Sequence, residues 1–489
     1  MERASGIIMP IFSLPSEYGI GTLGKEARNF VDFLKRAKQK YWQVLPIGPS
    51  GCGNSPYSSY STFAGNPYFI DFDILIQEGI IEVKYIESID WGKGNIDYDK
   101  IEKNKLKVLR TAYENCFDKY KDYVEEFIYK NYWVNDYALY MALKKEFNMK
   151  PWTDWNTDIK MRKPEALEYY KKLLEDEIHF HIFVQYLFFN QWAGLKEYAN
   201  ENGVKFIGDL PIYVAMDSVD AWSSPESFLL DNNNVPTEVA GVPPDYFSKT
   251  GQLWGNPLYD WDAMRNDGYG WWIRRIDGAN KLFDVIRIDH FRGLASYWAV
   301  PTGENTAVNG EWKKGPGIEF IDRIKGWFGE LNIIAEDLGI LTDDVKQLLK
   351  ESGFPGMKVL EFAFDENRNS DYLPYKYDRH CVCYCGTHDN ATLREWKECG
   401  NANEIEFAMK YFGIEKEDDF TFGIIRGGMA SVAELFITQM QDYLDLGKNS
   451  RTNIPGEPKG NWKWRMEKDA ADNKLADKIA EITEMYGRA

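Results

Sequence analysis

Asp284-Val-Ile-Arg-Ile-Asp289 is a short apolar run closed by a carboxylate, and the pattern recurs downstream in Ile333-Ile-Ala-Glu336 and Val382-Cys-Tyr-Cys-Gly-Thr-His-Asp389. Apolar runs of this length, separated by helical stretches, read as buried strands of a parallel sheet. In such a sheet every strand delivers its C-terminal end to the same face. If the sheet closes into a barrel, that face carries the active site, and carboxylates far apart in sequence converge there.

Working outward, Ser5-Gly-Ile-Ile-Met-Pro10 reads as the first strand. A helix over 25–39 follows, with Ala27, Phe30, Val31, Leu34 and Ala37 on one face. Tyr41-Trp-Gln-Val-Leu45, stopped by Pro46, is the second strand and Val204-Lys-Phe-Ile-Gly-Asp209 the third. Segments 285–288, 331–335, 357–362 and 382–385 are strands four to seven, and an eighth is expected within 436–443. Eight strands alternating with helices predict an α/β fold, a closed (β/α)8 TIM barrel, as one interrupted catalytic domain over 1–489. The structural alternative is an open doubly wound sheet. Gly19-Ile-Gly21-Thr-Leu-Gly24 matches the spacing of a phosphate-binding fingerprint, but it follows a loop where the fingerprint requires a strand.

Two long insertions interrupt the alternation. Segment 51–203, between strands two and three, opens in a Gly- and Ser-rich loop and shows helical periodicity at 137–147 and 178–198, so it is expected to be largely helical. Segment 212–280, between strands three and four, contains Ala240-Gly-Val-Pro-Pro-Asp-Tyr-Phe-Ser-Lys-Thr-Gly-Gln-Leu-Trp254-Gly-Asn-Pro257, whose prolines, glycines and aromatics suit an active-site lid. Near the C-terminus, Pro455-Gly-Glu-Pro-Lys-Gly-Asn461-Trp-Lys-Trp464-Arg alternates aromatics with cations, as an edge strand or cleft rim would, or a seam over the barrel bottom. No all-β run follows strand eight, so no C-terminal all-β domain is expected.

The chain has 489 residues, 44% of them apolar, enough to bury a large core. Its formal net charge of −18 repels phosphate backbones and anionic lipid surfaces, which argues against nucleic acid or membrane as a partner and for a neutral ligand. The start, Met1-Glu2-Arg3-Ala4-Ser5-Gly6, runs into a strand without the apolar core of a signal peptide, so the expected compartment is the cytoplasm. Cys381, Cys383 and Cys385 alternate along one strand, Cys399 follows, and Cys52 and Cys116 lie far upstream. Without paired Cys-x-x-Cys spacing they read as buried thiols, and His179 and His181, two apart on a helix, form no ligand pair. No metal and no cofactor is expected.

Aromatic residues make up 15%, with 17 Trp and 30 Tyr. Most serve packing, but flat rings also receive the C–H faces of sugars. Carboxylates at strand ends fit the same ligand: cleaving or moving a sugar needs one ionised group at the anomeric carbon and one protonated group at the leaving oxygen.

Gly208-Asp209-Leu-Pro-Ile-Tyr-Val, Arg287-Ile-Asp289-His-Phe-Arg-Gly, Ile334-Ala-Glu336-Asp337-Leu-Gly and Gly386-Thr-His388-Asp389-Asn resemble the signatures of the 4-α-glucanotransferases of glycoside hydrolase family 77, in the α-amylase clan. The resemblance extends to Asn54-Ser-Pro-Tyr57, the lid segment and Asn461-Trp-Lys-Trp464, and so spans nearly the whole chain. It implies transfer of α-1,4-glucan segments from maltooligosaccharides, amylose or glycogen to the 4-hydroxyl of a glucan or of glucose, by a retaining double displacement. Asp289 would then be the nucleophile, Glu336 the acid and base, and Asp389 the stabiliser gripping sugar hydroxyls. Arg287 would orient the nucleophile, Tyr57, Asp209 and His388 would contact the sugar, Trp254 would stack on glucan, and Asn461 would line the cleft. An α-amylase-type retaining hydrolase is the nearest alternative, and a non-catalytic glucan-binding protein the more distant one.

Overall fold

In the computed structural model, which describes residues 2–244, 248–339, 341–457 and 459–489 apart from the Cys52 side chain, the eight expected runs all form strands. β1 (Ala4–Ile8), β2 (Tyr41–Gln43) and β3 (Lys205–Pro211) begin the barrel. β4 (Glu238–Val242) and β5 (Gln252–Pro257) leave it, β6 (Val285–Asp289) returns, and β7 (Ser296–Pro301) and β8 (Glu311–Lys314) leave it again. β9 (Ile333–Ala335), β10 (Gly356–Val359), β11 (Cys381–Tyr384) and β12 (Leu435–Gln439) complete it. The strand order is β10-β11-β12-β1-β2-β3-β6-β9, with every pair parallel.

The seam between β9 and β10 is drawn together by the Ala335 N–H, which donates to the Pro355 carbonyl at 3.0 Å. A carboxylate adds to it: Asp337 Oδ1 accepts the Met357 N–H at 2.6 Å. Gly356 makes room for this, since a Cβ there would stand 2.7 Å from an Asp337 carboxylate oxygen.

Period-two alternation sorts each strand into two layers. Ala4, Ile8, Tyr41, Ile207, Val285, Ile334, Met357, Val359, Val382, Tyr384, Leu435 and Ile437 pack together inside the barrel. Their neighbours, among them Trp42, Phe206, Ile286, Cys381 and Phe436, join the larger core under the helices. Each large side chain removed from water contributes roughly 1.5–3 kcal/mol, so a one-residue slip of register would exchange the two layers at great cost.

Between β2 and β3 the chain is helical, with long elements at Tyr98–Lys130, Val134–Glu146 and Glu175–Glu201. Gly24 precedes the first barrel helix, Lys25–Arg36, with its α-carbon against the Asp71 carboxylate, so this glycine serves close packing.

Three expectations need correction. The eighth strand ends at Gln439, and Met440–Tyr443 is a helical turn, because Asp442 bends back to accept the Leu393 N–H and the Thr438 hydroxyl. The sixth ends at Val359, followed by a 3-10 turn over Leu360–Phe362. The described residues of the 455–465 stretch form no strand, and Trp462 has φ of +64°.

A second sheet was not legible in the sequence. It is antiparallel, in the order β5-β4-β7-β8, and its strands come from the connections after β3 and after β6. The expected lid segment holds its hairpin β4–β5; Asp245, Tyr246 and Phe247 of that segment lie outside the described residues, as does Pro458 of the C-terminal stretch.

Candidate active site

Strand parity decides which side chains reach the barrel mouth. The parity that places Ile207, Val285 and Ile334 inside the barrel carries, further along, Asp209 on β3, Arg287 and Asp289 on β6, and Glu336 just past β9. Arg287 Nη1 stands 2.6 Å from Asp209 Oδ1 and 3.0 Å from Asp289 Oδ1. The Asp209 side chain is fully buried and that of Arg287 4% exposed, whereas Asp289 is 28% exposed, so Asp289 is the member of the trio that opens to the cleft.

Glu336 has different partners. Its Oε2 accepts the His290 N–H at 2.6 Å and its Oε1 accepts the Leu338 N–H at 2.8 Å, and among the described residues it makes no ion pair. The bond from His290 depends on a sharp turn: directly after Asp289 the chain enters the left-handed region, with φ of +54° and ψ of 47° at His290, an uncommon conformation for a residue with a side chain. The His290 ring meets Trp254 edge-on at 4.8 Å, and burial holds the imidazole neutral, with its pKa lowered to about 3.

Burial raises the carboxyls of both Asp289 and Glu336 above the usual range, and Arg287 opposes the rise at each. At Asp289 the neighbouring carboxylates Asp209, Glu336 and Asp389 add to it. Asp289 and Glu336 therefore both hold a proton more readily than a free carboxyl does.

Asp389 lies beyond β11, on the loop that crosses the mouth. Its Oδ1 accepts the Asn453 amide at 2.6 Å and stands 3.2 Å from His388 Nε2. His388 is buried, which lowers its pKa, against the pull of Asp389. Its other nitrogen is 3.5 Å from the Tyr57 hydroxyl, and the two rings stack at 5.1 Å. The Tyr57 hydroxyl donates to Asp209 Oδ2 at 2.6 Å. A continuous polar chain therefore runs around the cleft, from Asp289 through Arg287, Asp209, Tyr57 and His388 to Asp389.

Of the expected ligand-binding residues, Trp254 stands at the rim on β5, 38% exposed, with its indole N–H donating to Gln252 Oε1 at 3.1 Å. Asn461 is committed to a turn: it accepts the Ile454 N–H at 3.0 Å and donates to the Glu457 carbonyl at 2.8 Å. Its neighbour Trp462 is the residue that reaches the site, 5.9 Å from the Tyr57 ring and 6.0 Å from His388.

Sequence reasoning missed His290, Asn453 and Trp462 as separate contributors. His290 acts on Glu336 through its backbone, which no side-chain pattern signals. Asn453 stands just before Pro455-Gly456, and that turn pair is the only local hint that the chain bends back to the mouth.

Comparison with known proteins agrees with this geometry. The family model described as 4-alpha-glucanotransferase matches residues 9–471. A 4-alpha-glucanotransferase of Clostridium butyricum is 48% identical over 485 residues, covering 98% of this chain and 100% of that protein. One of Streptococcus pneumoniae is 45% identical, covering 100% of this chain and 98% of that one. Among solved structures, an amylomaltase from Streptococcus agalactiae in complex with acarbose superposes with a TM-score of 0.98 at 41% identity, covering 100% of both chains. Similarity that takes in every barrel strand and every loop at its mouth has a direct consequence: the chain belongs to the 4-α-glucanotransferase family, glycoside hydrolase family 77.

Proposed function

We propose that the enzyme performs its 4-α-glucanotransferase reaction by a retaining double displacement centred on Asp289 and Glu336. An Asp289 oxygen attacks the anomeric carbon as the glycosidic C–O bond breaks, and the Glu336 proton passes to the departing 4-oxygen. The acceptor's 4-hydroxyl then gives its proton to Glu336 while its oxygen displaces Asp289. Asp389, with His388 and Tyr57, binds hydroxyls of the distorted sugar, and Trp254 stacks on the glucan beyond. Donors are maltooligosaccharides, amylose and glycogen; acceptors are glucans or glucose. Asn461 enters this reading as a brace for the turn that carries Trp462.

The observation that carries the proposal is the unequal treatment of the two carboxylates. Asp289 has a guanidinium at 3.0 Å, which favours its ionised form. Burial raises both carboxyls, but Glu336 accepts only backbone N–H groups and makes no ion pair among the described residues, so we place the shared proton on it, the member without a cation in contact. This matches the demands of nucleophile and acid. That the similar Streptococcus agalactiae amylomaltase is solved in complex with acarbose supports a carbohydrate ligand here.

The proposal extends to organisation and place. The chain is one catalytic barrel interrupted by the helical insertion 51–203 and the lid-bearing insertion 212–280, and it acts in the cytoplasm. None of its described helices is long and apolar enough to cross a membrane.

Incubation with maltotriose tests the activity: transfer yields glucose and a ladder of longer chains, whereas an α-amylase-type hydrolase would yield only shorter sugars. Trapping tests the roles. A Glu336→Gln variant given a glucosyl donor with a good leaving group should accumulate a glycosyl ester on the peptide carrying Asp289, and an ester on any other residue would overturn the assignment.

A further inference from the structure

Behind Asp389 lies a partly buried cation that the reaction as described does not use. Arg451 follows the short 3-10 turn Lys448–Ser450, and its side chain is 18% exposed. Its Nη2 donates to the Asp389 carbonyl at 2.8 Å and its Nε to the Asn453 carbonyl at 2.8 Å. Its remaining terminal nitrogen stands 3.5 Å from Glu395 Oε1, whose side chain is 8% exposed. One guanidinium thus fixes the backbone of Asp389 and, at the same time, the backbone of Asn453, whose amide holds the Asp389 carboxylate at 2.6 Å.

The two loops that Arg451 joins hang from the exit of β12. Asp442 accepts the Leu393 N–H at 2.8 Å, Gln439 donates to the Ala391 carbonyl at 3.2 Å, and Gln441 donates to the Ser450 carbonyl and the Thr452 hydroxyl. These bonds stop short of Asp389 on one side and of Asn453 on the other. Arg451 spans the gap, and its planar fork suits two carbonyls and a carboxylate in a way an ammonium cannot match.

We propose that Arg451 is a positioning residue for the transfer reaction, acting through Asp389 by setting the loop that carries it against Asn453. This rests on the reading of Asp389 as the group that grips the distorted sugar. Displacing a group of that kind by about 1 Å costs on the order of 10²-fold in rate. Binding of undistorted glucan depends on the rest of the cleft, so the loss falls on kcat more than on KM.

The test is a double-mutant cycle in the full-length enzyme with maltotriose, comparing Arg451→Ala, Asp389→Asn and the double variant. Arg451→Ala should lose on the order of 10²-fold in kcat with KM within a few-fold, and millimolar guanidinium added to the solution should restore part of it. The double variant should be no slower than Asp389→Asn alone. Losses that multiply, with Asp389→Asn itself impaired, would show that Arg451 acts elsewhere and would overturn this proposal while leaving the role of Asp389 standing. A fully active Asp389→Asn would overturn the reading of Asp389 and this proposal with it, and wild-type kcat in Arg451→Ala would overturn this proposal alone. Should Arg451→Ala fail to fold, Arg451→Lys, which keeps the partly buried charge and loses the fork, takes its place in the same cycle with the same expectations for the double variant.

Discussion

Arg287 and Asp209 are register partners on the paired strands β6 and β3, and their side chains meet in a 2.6 Å ion pair at the floor of the cleft. The nitrogen that makes this pair also reaches Asp289, so one cation serves a buried structural acid and the proposed nucleophile together. Removing it strands the fully buried Asp209 carboxylate and leaves Asp289, at the cleft, without its cation. Arg287→Ala should therefore destabilise the fold by about 3–5 kcal/mol, the cost of breaking a buried pair from one side. Arg287→Lys should cost less stability but still lower turnover at least about tenfold, because an ammonium cannot face both acids in one plane. Denaturant unfolding and maltotriose turnover measure the two effects, and an Arg287→Ala variant within about 1 kcal/mol of the parent would contradict the account.

Glu336 and Asp337 are neighbours with separate tasks. Glu336 faces the barrel axis, while Asp337 turns to the seam and accepts the Met357 N–H. Glu336→Ala should lose several orders of magnitude in turnover, since its proposed acid and base assistance carries a large part of the barrier reduction, and some stability as well from the His290 and Leu338 N–H groups it leaves unpaired. Asp337→Ala should lose about 1–3 kcal/mol of stability from an unpaired buried N–H with a much milder kinetic effect. Equal kinetic losses in the two variants would refute the division of labour.

The barrel was legible because burial on both faces makes each parallel strand a short apolar run, a signal that survives in a single sequence. That Asp289 and Glu336 come to the barrel mouth was legible because each closes such a run, whereas Asp389 stands five residues beyond the end of β11 on a loop. The sheet β5-β4-β7-β8 was not: Glu311-Trp-Lys-Lys is short and polar, Glu238-Val-Ala-Gly-Val lies inside a Pro- and Gly-rich segment, and their pairing depends on partners from two different connections. Asn461 shows a related limit of the sequence. An amide beside two tryptophans has the composition of a sugar contact, yet here the backbone of its own turn claims it first. Arg451 gave no signal, because a partly buried arginine that bonds to carbonyls depends on where two loops meet, which no local pattern encodes.

Asp220 gives the fold a pH dependence of definite sign. It is 3% exposed, accepts the Thr62 N–H at 2.8 Å, and burial pushes its pKa up to about 7 against the pull of Arg275. In the unfolded chain an aspartate titrates near pH ~3.9. Between these values the folded protein holds a proton that the unfolded chain has lost. Asp220 therefore contributes stability that is full below the unfolded value and is lost as pH rises toward 7. Asp220→Asn keeps an acceptor for Thr62 and cannot ionise. Unfolding free energies measured from about pH 5 to pH 8 should show the variant gaining on the parent as pH rises, and a gap that stays constant over that range would exclude this role for Asp220.

In the proposed double displacement, transfer competes with hydrolysis at the glycosyl ester, and the outcome depends on what occupies the cleft when the ester forms. Water is always abundant, so an acceptor hydroxyl prevails only if it is held in line and if water is kept from the same position. Trp254 is placed for both effects: it projects from the β4–β5 hairpin at the rim, and its ring lies edge-on against His290, whose N–H binds Glu336. A sugar stacked on that indole would cover Glu336 from the solvent side. Trp254→Ala should therefore lower transfer more than hydrolysis, raising the ratio of free reducing ends to redistributed chains, and should weaken the use of glucose as acceptor. Separating the products of a maltotriose incubation by size, with glucose release assayed in parallel, gives the ratio directly. An unchanged ratio in a folded variant would place the exclusion of water elsewhere in the cleft.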